Sequence, residues 1–134
     1  VNGPLRLAGY AALFHRRDRG GDIILPGAFA ATLAARAAPL PLLWEHRPHA
    51  RIGTVELAAE DARGLRVRAR LDHAASRHAR QLLSGAVRGL SFGYRARAAR
   101  QEGCTRLLTG IDLLEISLVA HPLQPAARVH LVAA

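Results

Sequence analysis

The chain has 134 residues with 19 basic side chains, all arginine, against 10 acids, a formal net charge of +9; half of it is hydrophobic but only 4% is aromatic. That length suits one domain spanning residues 1–134, with a core of Leu, Val, Ile and many of the 27 alanines, and so few aromatics exclude a base-stacking surface such as an RNA-recognition sheet. The arginines are spread along the chain rather than clustered, as GC-rich coding would leave them, so direct nucleic-acid binding is not expected.

Leu5, Leu7, Gly9, Ala11 and Leu13 alternate with other residues, the period of a half-buried strand ending near Phe14. The charged, glycine-containing run from His15 to Asp22 is an exposed loop, and it leads through Ile23-Ile24-Leu25 into the Pro26-Gly27 turn. Ala28 to Ala38 reads as a short helix. From Ile23 to Trp44 the only charge is Arg36, but Pro26, Pro39 and Pro41 interrupt any spanning helix, so neither a membrane segment nor a signal peptide is read. Leu40 to Glu45, bounded by prolines, is a buried strand delivering His46 at its end, with Arg47-Pro48-His49 as the break. Ile52–Ala58 and Leu65–Leu71 flank an Asp61-Ala62-Arg63-Gly64 turn as a hairpin.

Asp72 to Gly85 favours helix, with Asp72 or His73 near the start and Gly85 as a left-handed C-terminal cap. Gly89 to Arg97 returns to strand, with Leu90, Phe92, Tyr94 and Ala96 on one face and Ser91, Gly93 and Arg95 on the other. After a turn near Gly103, strand-like runs cover Arg106–Leu108 and Ile111–Val119. In the last run Leu114, Ile116 and Leu118 share one face, and Glu115 and Ser117 the opposite one. Cys104 can form no internal disulfide and has no partner at zinc spacing, which fits a reducing compartment. These elements make a mainly β (α+β) domain with two or three short helices.

Three segments combine strand context with reactive side chains, and they bring a base, a nucleophile and an acid: His46, Ser91 and Glu115. Serine is a poor nucleophile unless a neutral imidazole takes its proton and a carboxylate orients the ring. Of four serines, Ser91 alone lies between glycines on a strand, while Ser76 and Ser84 read as helix-surface residues and Ser117 competes as nucleophile. A structural reading stands beside each role: Ser91 as an ordinary strand serine, and Glu115 paired with one of the arginines. Gly89-x-Ser91-x-Gly93 matches the nucleophile elbow of α/β-hydrolases, but a strand rather than a helix follows it, so that assignment is rejected. His46 and His49, with Asp18 or Asp22, lack a third ligand at recognisable spacing, so neither metal nor cofactor is expected. Histidines 15, 73, 78 and 130 are expected on the surface, and His121 is structural or near the site.

Taken in order, eight blocks resemble the prohead maturation proteases of HK97-like tailed phages, serine peptidases that share a fold with herpesvirus assemblins. They are Gly9–Phe14, Asp22–Phe29, Leu43–His46, Ile52–Val55, Gly64–Val67, Gly85–Tyr94, Leu114–Val119 and Pro122–Ala127. The resemblance implies a closed or nearly closed β-barrel with short flanking helices, and places the nucleophile, base and third member on Ser91, His46 and Glu115. Assemblins carry a histidine in the third role, which makes Glu115 the departure. Backbone amides near Ser91, or Arg88 or Arg95, are open as oxyanion donors. The implied substrate is the scaffolding segment of a major capsid protein, or a separate scaffold, cut inside assembling procapsids in a bacterial host's cytoplasm, with self-cleavage and a possible homodimer. The procapsid implied is that of a phage, a prophage or a gene transfer agent. The alternatives are a non-catalytic capsid- or nucleic-acid-associated protein of the same fold, and a small intracellular esterase using the same serine.

Overall fold

A computed structural model describes residues 4–133. The elements, in chain order, are β1 (Leu5–Leu13), β2 (Asp22–Ile24), α1 (Ala30–Ala35), β3 (Pro41–Trp44), β4 (Arg47–Glu60), β5 (Gly64–Leu71), α2 (Arg77–Ser84), β6 (Gly89–Glu102), β7 (Thr105–Val119) and β8 (Val129–Ala133). The mainly β reading holds. All eight strands join one sheet in the order β2-β7-β3-β4-β5-β1-β8, with β6 on β7. Of the closed or nearly closed barrel that the resemblance implies, full closure does not occur. Only a Gly89–Arg128 bridge, with bonds from Leu90 N–H to Ala127 O and Val129 N–H to Arg88 O (2.9 Å each), joins the start of β6 to the lead-in of β8. Beyond Leu90 the β6 edge goes its own way with β7.

The alternating apolar positions turn inward. Leu42, Leu65, Leu71, Leu90, Leu108, Ile116 and Leu118 are all fully buried, and Phe29 meets Phe92 edge to face at 5.4 Å. The β4–β5 hairpin forms around the expected Asp61–Gly64 turn, where Asp61 Oδ1 accepts from the N–H groups of Arg63 and Gly64. Among the described residues no helix is long and apolar enough to cross a membrane.

Local expectations fail where distant groups compete. α1 is only six residues long: Ala38 precedes Pro39, which disfavours helix there, and Arg36 leaves in extended backbone with its guanidinium on Leu113 O at 2.7 Å. α2 begins after Ser76, whose Oγ accepts from Ala79 N–H, because the Asp72 carboxylate pairs with Arg70 instead; Gly85 caps it with φ +82°, as expected. Arg47-Pro48-His49 does not break the chain. The turn is Glu45-His46, and those three residues open β4, where the register jumps from Trp44–Arg47 to Leu43–Arg51.

β7 is one strand, and it is central. β6 runs along one edge while β2 and β3, both parallel to it, share the other. Between them α1 fills the gap: Ile111 N–H donates to Ala28 O, Leu113 N–H to Thr32 Oγ1, and Arg36 to Leu113 O. On the β6 side the register slips between Gly93–Glu115 and Tyr94–Leu113, so Leu114 is a bulge. Leu114 is therefore 45% exposed and not on the face of Ile116 and Leu118, contrary to the period-two reading; buried Leu113 takes its inward place.

Candidate active site

Three adjacent strands build the site. On β7, Glu115 and Ser117 point to the face opposite the Ile116–Leu118 core side; on β6, Ser91 lies directly across from Ser117 and Gly93 across from Glu115. Gly93 matters here because a β-carbon on it would lie 2.5 Å from Glu115 Oε1. The missing side chain is the space the carboxylate occupies.

His46 reaches this face from the turn joining β3 to β4. Glu45 (φ +51°) and His46 (φ +59°) are both left-handed, the backbone of a two-residue hairpin turn that Asn-Gly would make with less strain. Each such residue costs about 1–2 kcal/mol. Three bonds to the end of β7 oppose that strain: Glu45 N–H donates to Leu118 O (2.9 Å), Ala120 N–H to Glu45 Oε2 (3.2 Å), and His46 N–H to Ser117 Oγ (3.1 Å). The turn thereby presents the imidazole so that Nδ1 meets Glu115 Oε1. Ser117 in turn donates its hydroxyl to Glu115 Oε2 at 2.6 Å.

Glu115 is thus held on both oxygens, at 9% exposure, by His46 and Ser117, not by an arginine. The bond to Glu115 holds the His46 pKa above the ordinary imidazole value; burial opposes this, and the charges of Glu115 and Glu45 add to it. With Nδ1 committed, Nε2 is the nitrogen left to exchange a proton. Ser91 is buried (6% exposed) on the same face, and no hydrogen bond joins it to His46.

Ser117, read as a competing nucleophile, is fully buried with its hydroxyl engaged by both neighbours. Its positioning contact was missed in the sequence, as was the space left by Gly93. No local signal marked them: an unbroken ladder from the Gly103–Cys104 turn would set Ser91 against Ile116 and Gly93 against Leu114, and the Leu114 bulge is what brings them opposite Ser117 and Glu115. Arg88 Nε is buried without a hydrogen-bond partner among the described residues, whereas Arg95 is exposed beyond the bulge opposite Asp112. His78 is not a surface residue: its ring packs on Trp44 at 4.6 Å, Nε2 is buried and unpartnered, and desolvation lowers its pKa. Asp22 is engaged bidentately by Arg106, and no group of three His, Cys, Asp or Glu among the described residues is placed to hold a metal ion.

The family model for "Caudovirus prohead serine protease" matches residues 2–134. The chain belongs to that family. It is 36% identical over 90 residues to the prohead protease of Enterobacteria phage HK97, covering 64% of this chain and 40% of the relative. A capsid scaffolding protein of Suid herpesvirus 1 (strain Kaplan) is 39% identical over 62 residues, 46% of this chain and 12% of the relative. The matched stretch is therefore less than half the length of either relative. Among solved structures, a Kaposi's sarcoma-associated herpesvirus protease bound to a hexapeptide phosphonate inhibitor superposes with a TM-score of 0.69 at 16% identity, over 98% of this chain and 65% of that one. The bacteriophage T4 capsid assembly protease superposes with a TM-score of 0.67 at 12% identity, over 87% and 81%. At these identities the two structures speak to the shared fold.

Proposed function

We propose that this chain is a serine endopeptidase that removes the scaffolding segment of a major capsid protein, or a separate scaffold, and cleaves itself, inside assembling procapsids of a phage, prophage or gene transfer agent. The observation that carries the reading is the His46–Glu115 contact on the sheet face that bears Ser91, in a chain of the prohead protease family. Ser91 Oγ attacks the scissile carbonyl carbon while His46 Nε2 takes its proton. Glu115 keeps Nδ1–H oriented and stabilises the imidazolium as it forms. Collapse of the tetrahedral intermediate breaks the C–N bond, and the imidazolium returns the proton to the departing amine. Water, deprotonated by His46, then hydrolyses the acyl-enzyme and restores Ser91.

Co-expression with the neighbouring capsid protein tests this, with Ser91 intact or changed to alanine and the capsid protein's mass as readout. Shortening with the wild type and none with Ser91→Ala is expected, since losing a catalytic serine costs on the order of a millionfold in rate. Equal cleavage by both would refute the role of Ser91, and cleavage by neither would favour a non-catalytic capsid protein.

A further inference from the structure

The arginines are unevenly matched with acids. Arg6, Arg66, Arg70, Arg97, Arg100 and Arg106 each have a carboxylate within 4 Å. The other thirteen do not, and Arg47, Arg51 and Arg77 are among them. These three line one open cleft between the first residues of β4 and the start of α2, along with His49 and His73. All three are exposed.

The cleft exists because β4 is unpaired on one side there. Its ladder with β5 starts only at Gly53, and the register jump at Pro48–Ala50 splays the strand's opening residues. Arg51 is braced by Gly53 O and Thr54 Oγ1, both neutral, so its charge stays uncompensated. The nearby acids are turned to other work: Glu45 accepts from Ala120 N–H, Glu115 holds His46, and Asp72 pairs with Arg70. No carboxylate lines the cleft. It begins at Arg47, the residue after His46, with Trp44 on the other side of the same turn also in its lining.

We propose that this cleft binds an acidic stretch of the protein substrate, fixing it beside His46. A peptide fits better than nucleic acid for two reasons: the cleft adjoins the proposed peptidase site, and its one large aromatic ring, Trp44, is 8% exposed and already stacked by His78, leaving no surface for base stacking. The naming of the occupant as substrate rests on the peptidase reading; the binding itself does not.

The test measures fluorescence anisotropy of labelled decaglutamate against the Ser91→Ala chain, so binding is read whether or not the protein is a peptidase. Reversal of the cleft charges (Arg51→Glu with Arg77→Glu) is compared with an equal reversal at two exposed arginines outside the cleft (Arg16→Glu with Arg19→Glu). The cleft pair is expected to weaken binding at least about tenfold and the outside pair less than about threefold, because local like charge opposes the ligand more than the screened distant field does. Arg51→Gln with Arg77→Gln should give an intermediate loss, and serves if the reversal disturbs folding as judged by circular dichroism. Equal weakening by both reversals, or no measurable binding at low salt, would overturn the proposal. So would tighter binding of a labelled ten-nucleotide oligothymidylate lost through the same cleft residues, which would assign the cleft to nucleic acid.

Discussion

Replacing Gly93 by alanine probes the proposed site with one methyl group. The new β-carbon would lie 2.5 Å from Glu115 Oε1, 2.9 Å from its Cγ and 3.0 Å from its Cδ, where ordinary contact begins at 3.4 Å. The carboxylate must therefore retreat by about 1 Å, and Oε1 is the oxygen that meets His46 Nδ1. A misplacement of about 1 Å in a catalytic group costs on the order of a hundredfold in rate. Gly93 has no positive φ and sits in a strand, where alanine is the better residue by roughly 0.5–1 kcal/mol, so the fold itself should survive. The expected result is a fall of about a hundredfold in kcat/KM for capsid-precursor cleavage, with a Tm near wild type at pH 8, where the pair contributes least, and a lowered His46 pKa in a ring-proton NMR titration. A variant with wild-type kcat/KM and an unmoved His46 titration would show that the Gly93 space has no part in holding Glu115, and the reasoning would fail.

Glu115→Gln keeps the shape but removes the charge that holds the His46 pKa up, so the acidic limb of the kcat/KM profile should move to lower pH while the plateau falls about ten-thousandfold. The same linkage acts on stability: because the folded His46 pKa is raised, the pair's contribution is full below the free imidazole value of 6.5 and is lost as pH rises through the folded value. Wild type minus Glu115→Gln should therefore show a larger Tm difference at pH 5 than at pH 8. Ser117→Ala strips Glu115 Oε2 and His46 N–H of their partner, and urea unfolding should show a loss of about 1–3 kcal/mol. Peptidase activity should fall more than stability alone explains, since the strained turn loses one of its three ties; unchanged kcat/KM in the folded variant would reduce Ser117 to a packing role.

Patterning reported the strands well where each residue's environment follows its neighbours in sequence. The alternation of β1, the β4–β5 hairpin and the Leu90–Phe92 face all appear as read. It failed wherever a partner far along the chain decided the outcome. Leu114 follows a perfect period-two pattern and is still turned outward, because the bulge arises from pairing with β6. Ala28–Ala38 has the composition of a longer helix, but Arg36 is drawn to a carbonyl on β7. Barrel closure depended on how far β6 and β8 run together, which no local signal encodes. Within the candidate site, residue types and strand faces were legible, whereas the turn that aims His46 was placed too late, since nothing in Glu45-His46 advertises two left-handed residues. His78 looked like any helix-surface histidine until Trp44 was seen beneath it.

The parallel pairing of β3 with β7 also governs when the site comes into being. His46 precedes β7 in the chain, but the ties that bind its turn to the rest of the sheet end on Leu118, Ser117 or Ala120. A nascent chain that stops short of these residues has the imidazole but neither the carboxylate to aim it nor the acceptors to offset two strained residues. Such a fragment keeps only the Trp44–Arg47 pairing of its own hairpin to hold the turn closed. The His46–Glu115 pair therefore forms only once the β7 segment has been made and has folded against β3.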